Sequence, residues 1–238
     1  MKIIHMSDLH ITEYGSEIWK TDTKSHFDRA IEQISQMDDI DCIIVTGDLS
    51  NDGSQWSYSY IDNAFKSIGI PTICCPGNHD NLVNFKKMNY CSFKQIVHIN
   101  GWKLLNLDST IPNMGRGRLN SETLDYIDNE LSTDNAPTII AFHHPSVEPG
   151  GWLDRKLLED RDSFNQYITQ KNNVKLVLYG HSHYAISHKI GATIFSSAPS
   201  IGFAFNKELP KFQIAKGEEG FNIIEIEGEC ISIKTIRI

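Results

Sequence analysis

Five short apolar runs, each followed at once by ligand-type side chains, constrain this chain more than anything else in its sequence. The runs are 2–6, 42–46, 71–75, 138–142 and 174–179, and they are rich in Ile, Val and Cys. Continuous apolar runs this short suit strands buried on both faces. Asp8 and His10 follow the first run, and Gly47 and Asp48 the second. Gly77, Asn78, His79 and Asp80 follow the third, His143 and His144 the fourth, and Gly180, His181 and His183 the fifth.

Helical patterns fall between the runs. Phe27, Ala30, Ile31 and Ile34 recur with a helical period, and Leu124, Ile127 and Leu131 line one face of a second segment. That second segment opens at Asn120 or Ser121, either of which can cap it. Residues 155–170 read as a further helix. Alternation of strand and helix predicts βαβ units and a largely parallel sheet. From about residue 184 the pattern changes to short strand-like pieces with turn signals, including a hairpin break at Glu227 and Gly228. The expected fold is α/β, a two-sheet β-sandwich flanked by helices, in one domain over 1–238. The strands of 184–238 are expected to complete the second sheet.

Parallel strands deliver their C-terminal ends to one edge, where α/β folds bind ligands. The five polar blocks are therefore expected to converge. Taken singly, each has an ordinary reading: "GDLSND" as an Asx turn, "HH" as surface imidazoles, "GHSH" as a hairpin. Together they offer Asp, His and Asn donors without sulfur, a set suited to Mn, Fe, Zn, Co or Ni. Seven or eight such donors are too many for one ion and suit two, bridged by a carboxylate and a hydroxide. Glycines before Asp48, Asn78 and His181 permit tight turns.

Composition narrows the partners. Twenty-two basic and 30 acidic side chains give a formal charge of −8. An acidic surface disfavours long nucleic acid and anionic membranes, while bound cations would still let a small anionic substrate approach. The N-terminus has no apolar stretch of the secretory kind, and no run reaches the length of a membrane helix. The default compartment is cytoplasmic. The five cysteines, three of them in apolar runs, are expected to be free buried thiols. His5, His26, His98 and His188 match no block and are expected to be structural.

The blocks "SDLH", "GDLSND", "GNHD", "FHHP" and "GHSH" resemble, in order, the five signature blocks of the calcineurin-like metallophosphoesterases. They span Asp8 to His183. "LDSTIPNMGRGRLNSETLDYIDNEL", "GGWLDRKLLEDRDSF" and "APSIGFAF" are similar to segments of the class III bacterial 3′,5′-cyclic-nucleotide phosphodiesterases. The resemblance implies that Asp8, His10 and His183 hold one metal and Asn78, His143 and His181 the other, with Asp48 between them. His79 would face the scissile phosphate and protonate the leaving oxygen, and Asp80 would orient it. Either histidine of "FHHPS" can coordinate; related phosphatases place the ligand two residues before the proline, which points to His143. The implied activity is hydrolysis of a small phosphodiester such as cyclic AMP by a metal-bridging hydroxide. The alternatives are a phosphomonoesterase or another phosphodiesterase of the superfamily, or a non-catalytic scaffold. Trp152 could stack on a base or pack, and Arg116 and Arg118 could meet phosphate or lie in a solvated loop. Neither a monomer nor a homodimer is excluded.

Overall fold

The computed structural model describes residues 1–209 and 211–238. The chain runs β1 (Lys2–Met6), α1 (Thr23–Ser35), β2 (Cys42–Thr46), α2 (Gln55–Ile68), β3 (Thr72–Cys75), α3 (Leu82–Phe85), β4 (Ile96–Ile99) and β5 (Trp102–Asn106). It continues through α4 (Ser121–Thr133), β6 (Thr138–Ala141), α5 (Arg161–Ile168), β7 (Val174–Tyr179), β8 (Ile186–Ile190) and β9 (Thr193–Ser197). The last strands are β10 (Ala204–Phe205), β11 (Ile214–Ala215), β12 (Gly220–Glu227) and β13 (Cys230–Arg237).

Two mixed sheets result, ordered β13-β12-β1-β2-β3 and β4-β5-β6-β7-β9-β8. Strand alternation sorts their side chains. Ile3, Ile44, Ile73 and Ile224 of the first sheet meet Leu104, Ile139, Leu176 and Leu178 of the second in one buried layer. The alternate residues Ile4, Ile43 and Val45 face outward onto Phe27, Ile34, Ile61 and Phe65 of α1 and α2. Leu105, Ile140 and Val177 likewise pack on Ile127, Leu131, Phe164 and Ile168 of α4 and α5. Successive strand residues point to opposite faces, so the inner strands serve two cores and are largely apolar, whereas β4, β8 and β13 are half-buried or exposed.

Caps set the helix starts. Asp22 accepts from the Ser25 N–H at 2.9 Å, and Asn120, rather than Ser121, accepts from the Thr123 N–H at 2.9 Å. A side-chain cap of this kind is worth about 0.5–2 kcal/mol.

Three expectations need correction. The helix expected over 155–170 is a short 3-10 turn at Trp152–Lys156 followed by α5. The backbone between them bonds elsewhere: the Gly117 N–H donates to Leu157 O at 3.3 Å, and the Glu159 N–H donates to Gly117 O at 2.8 Å. A backbone group engaged there is lost to an i→i−4 ladder. The strands after residue 184 do not all join the second sheet. β8 and β9 do, but β12 and β13 form an antiparallel pair on the first sheet, with Lys2 opposite Glu225. Burial of Ile224 between the sheets and of Phe221 under α1 holds β12 there. Finally, Cys74 is not a free thiol. It forms a disulfide with Cys91, their Cα atoms 6.0 Å apart, while Cys42, Cys75 and Cys230 are free. Ser92 pairs with Ile73 in a parallel bridge, which carries Cys91 back over β3.

Candidate dimetal site

All five polar blocks meet at one edge of the sandwich. β1, β2 and β3 are parallel neighbours in one sheet, β6 and β7 in the other, and their C-terminal ends face the same way. The loops are laced together by backbone bonds. Asp8 N–H donates to Gly47 O and His10 N–H to Asp48 O, each at 3.0 Å, and Gly180 N–H donates to His143 O at 3.0 Å. Asp8 in turn accepts from the His181 N–H at 2.9 Å, joining the two sheets.

Backbone conformation turns the side chains inward. Asp8, His10, Asp48, His181 and His183 all have positive φ, between 49° and 64°. That region is costly for non-glycine residues, on the order of 1–3 kcal/mol each, and it persists only where surrounding structure enforces it. Close approach depends on glycine at two places. A Cβ on Gly77 would overlap the Asp48 carboxylate, and one on Gly180 would overlap the Ser7 side chain.

The donor atoms then form overlapping groups. Asp8, His10 and His183 make one, with His183 Nε2 3.3 Å from Asp8 Oδ1 and from His10 Nε2. Asp8, Asp48 and His143 make a second, with His143 Nε2 3.3 Å from Asp48 Oδ2. His143, His144 and His181 make a third, and His10, Asp48 and His79 a fourth. Asp48 therefore belongs to two groups and His143 to two. Carbonyl oxygens aim the imidazoles. His143 Nδ1 lies 2.7 Å from Thr46 O and His183 Nδ1 2.6 Å from Phe203 O, which leaves each Nε2 facing the cluster.

Electrostatics point to cations here. Asp8 and Asp48 are buried, yet burial, which raises their pKa, is overcome by neighbouring imidazoles that hold both carboxyls below the usual range. Burial pushes His10 down to about 3 and His181 well down, so these rings are neutral donors. Burial opposes a proton on His143, but the Asp48 carboxylate pushes it up to about 9. Asp8 Oδ1, Asn78 Oδ1 and His181 Nε2 are buried without a hydrogen-bond partner among the described residues. Buried carboxylates and unpartnered acceptors are expensive unless a cation satisfies them. The oxygen and nitrogen donors fit two such ions, as the sequence chemistry requires.

Such a site, on such a sandwich, has known counterparts. The family model of the calcineurin-like phosphoesterases matches residues 1–185. The chain belongs to this family. A calcineurin-like phosphoesterase with these clusters is a metal-dependent phosphoesterase. Over 233 residues it is 28% identical to a 3′,5′-cyclic-nucleotide phosphodiesterase of Nostoc sp., covering 95% of this chain and 88% of that one. It is 25% identical to a 3′,5′-cyclic adenosine monophosphate phosphodiesterase of Haemophilus influenzae, over 99% of this chain and 88% of that one. A dimetal phosphatase of Danio rerio shares the fold, with a TM-score of 0.74 at 10% identity over 99% of this chain and 95% of that one. Among the described residues, no helix of this phosphoesterase is long and apolar enough to cross a membrane.

The remaining candidates lie as follows. His79 is exposed, its ring edge-on to His10 at 5.0 Å. Asp80 has no hydrogen bond to His79 among the described residues. It accepts instead from the N–H groups of Leu49, Ser50 and Gly77 and from the Tyr58 hydroxyl, at 3.2, 3.0, 2.9 and 2.9 Å. Arg116 and Arg118 pair with Glu159. Trp152 packs beside Phe205 and Phe212, with Arg155 over its ring at 4.8 Å. Sequence reasoning missed Tyr58, the brace on Asp80, and Phe203, the carbonyl partner of His183. Tyr58 sits on α2, whose buried Tyr58, Ile61 and Phe65 were a legible helical stripe.

Proposed function

We propose that this chain is a dinuclear-metal phosphodiesterase that hydrolyses a small phosphodiester, a 3′,5′-cyclic nucleotide such as cyclic AMP. What carries the reading is similarity over almost the whole chain to relatives of that name, combined with a filled set of donors. Asp8, His10 and His183 would hold one cation, Asn78, His143 and His181 the other, and Asp48 both. Bound there, the two cations would lower the pKa of a water and offset charge on the phosphoryl oxygens.

The chain's own residues do the rest. His79, exposed and beside His10, reaches the phosphate from solvent and donates a proton to the leaving ribose oxygen. Its backbone N–H is fixed by Asp48 Oδ1 at 2.8 Å. Asp80 is a positioning residue that clamps the loops after β2 and β3. The Thr46 and Phe203 carbonyls hold His143 and His183 in one tautomer each.

The test strips the protein with chelator and restores Mn, Zn, Mg or Ca. Cyclic AMP, 2′,3′-cyclic AMP, a bis-aryl phosphodiester and an aryl phosphomonoester are then compared. Turnover of cyclic AMP that returns only with a transition metal is the expected result. Full activity in metal-free protein would overturn the two-metal reading. Preference for the monoester would make the chain a phosphatase instead.

A further inference from the structure

Trp19 and Phe212 are large apolar side chains left substantially in solvent, 56% and 39% exposed. Their rings touch, with centroids 4.6 Å apart. Trp19 also meets the buried Phe203 edge-on at 5.0 Å, and Phe203 stacks on His10 at 4.7 Å. His10 meets His79. An unbroken row of rings therefore runs from His79 through His10, Phe203 and Trp19 to Phe212. It begins at the exposed imidazole assigned to the phosphate, passes through the buried His10 and Phe203, and reaches the surface again at Trp19 and Phe212.

The backbone beneath Trp19 is as unusual as its exposure. Ile18 and Thr21 exchange both backbone hydrogen bonds, at 3.0 and 2.9 Å, so Trp19 and Lys20 are the central pair of a two-residue turn. Both have positive φ, 49° and 64°. That is the signature of a type I′ turn, for which Asn-Gly is the inexpensive sequence. A tryptophan there strains the backbone, and more than half of its surface gains no burial in return. Strained positions of this kind cluster at ligand clamps and active sites, and they persist only where the surrounding structure enforces them.

We propose that Trp19, buttressed by Phe212 and Phe203, is the stacking platform for the nucleobase of the substrate. This deepens the phosphodiesterase reading and rests on it for the identity of the substrate. A nucleotide carries its charge at one end and a flat aromatic face at the other, and the row of rings presents the matching order. Aromatic faces accept any base, so the platform selects nucleotides over base-free phosphoesters without choosing strongly among bases.

Two measurements test it. The first is kcat/KM of wild type, Trp19→Phe, Trp19→Ala and Phe212→Ala on cyclic AMP and on 1-O-methylribofuranose 3′,5′-cyclic phosphate, which lacks a base. Loss of a base stack is worth about 5- to 150-fold. Trp19→Ala should lose that on cyclic AMP, chiefly through KM, and Trp19→Phe should recover most of it. The base-free substrate should be turned over equally by all four proteins. Equal losses on both substrates would make Trp19 structural and overturn the proposal, as would no loss on either. The second measurement needs no turnover. Adenosine 5′-monophosphate should quench tryptophan fluorescence of the metal-loaded protein, ribose 5-phosphate should not, and Trp19→Phe should abolish the quench. A quench without cyclic-nucleotide hydrolysis would keep the platform and reject the phosphodiesterase reading. No quench with wild type would reject the platform whatever the activity.

Discussion

The two oxygens of Asp48 face different tasks: Oδ1 accepts from the backbone N–H of His79 at 2.8 Å, while Oδ2 stands 3.3 Å from Nε2 of His143. One carboxylate thus holds the His79 backbone and faces the His143 imidazole, where it would serve the proposed metal site. Asp48→Asn keeps an acceptor for His79 but removes the charge. Asp48→Ala removes both. Elemental analysis should find fewer than two ions per chain in each variant, and turnover should fall further in Asp48→Ala. Two retained ions with normal turnover in Asp48→Asn would remove Asp48 from the metal site.

His79 and Asn78 are neighbours with different proposed tasks. His79→Ala should keep both ions and lose about 10²–10⁴ in rate on cyclic AMP, the range of general acid catalysis. A nitrophenolate leaves without a proton, so the loss on an aryl diester should be smaller. Turnover on both substrates, with metal content measured in parallel, decides it. A lost ion in His79→Ala would make His79 a ligand.

The paired histidines separate in the same way. His143 belongs to two donor groups, one of them with Asp8 and Asp48, whereas His144 belongs only to the group with His143 and His181. His143→Ala should therefore lose metal and His144→Ala keep both ions. The opposite pattern in elemental analysis would transfer the role to His144.

Tyr58 offers a test of stability. Its hydroxyl donates to Asp80 and accepts from the Asn81 N–H at 2.7 Å. Tyr58→Phe removes the hydrogen bond to the Asp80 carboxylate, worth about 1.5–3 kcal/mol for a charged acceptor, and takes a partner from the Asn81 N–H. Urea unfolding should register it, and an unchanged midpoint would mean that the loop after β3 is braced by other contacts.

His5 should make folding sensitive to acid. It is buried against Thr46 Oγ1 at 3.0 Å, and burial pushes its pKa down to about 3 against the pull of Asp8. The unfolded residue titrates near 6.5. Below that pH the unfolded chain takes up a proton that the folded chain refuses. Stability present above pH 6.5 is lost as pH falls toward 3. At pH 5 the loss from this group is about 2 kcal/mol. Between pH 7.5 and 5, His5→Gln should lose less stability than wild type by about that amount in urea melts. Equal losses would assign the acid sensitivity elsewhere.

Much of this site was legible because strand ends and donor residues coincide in the sequence. The runs before Asp8, Asp48, Asn78, His143 and His181 are strands buried on both faces, which makes them continuous and easy to see. What was not legible depends on contacts distant along the chain. β4 is only half-buried, so its alternation is faint. Cys91 reaches Cys74 by a path that no local pattern encodes. The partners of Asp80 come from three separate segments, and its adjacency to His79 pointed the wrong way. Trp19 gave no signal, because a turn of its kind ordinarily carries Asn or Gly.

The place of β12 beside β1 has a consequence for assembly. β1 is made long before β12 and keeps an open edge until β12 arrives, since Lys2 pairs with Glu225. A nascent chain therefore carries Asp8, Asp48 and Asn78 out of the ribosome long before His181 and His183 can join them. Pairing between ends so far apart closes a long loop and slows folding. During that interval β1 presents an unpaired edge, the kind of surface that templates self-association.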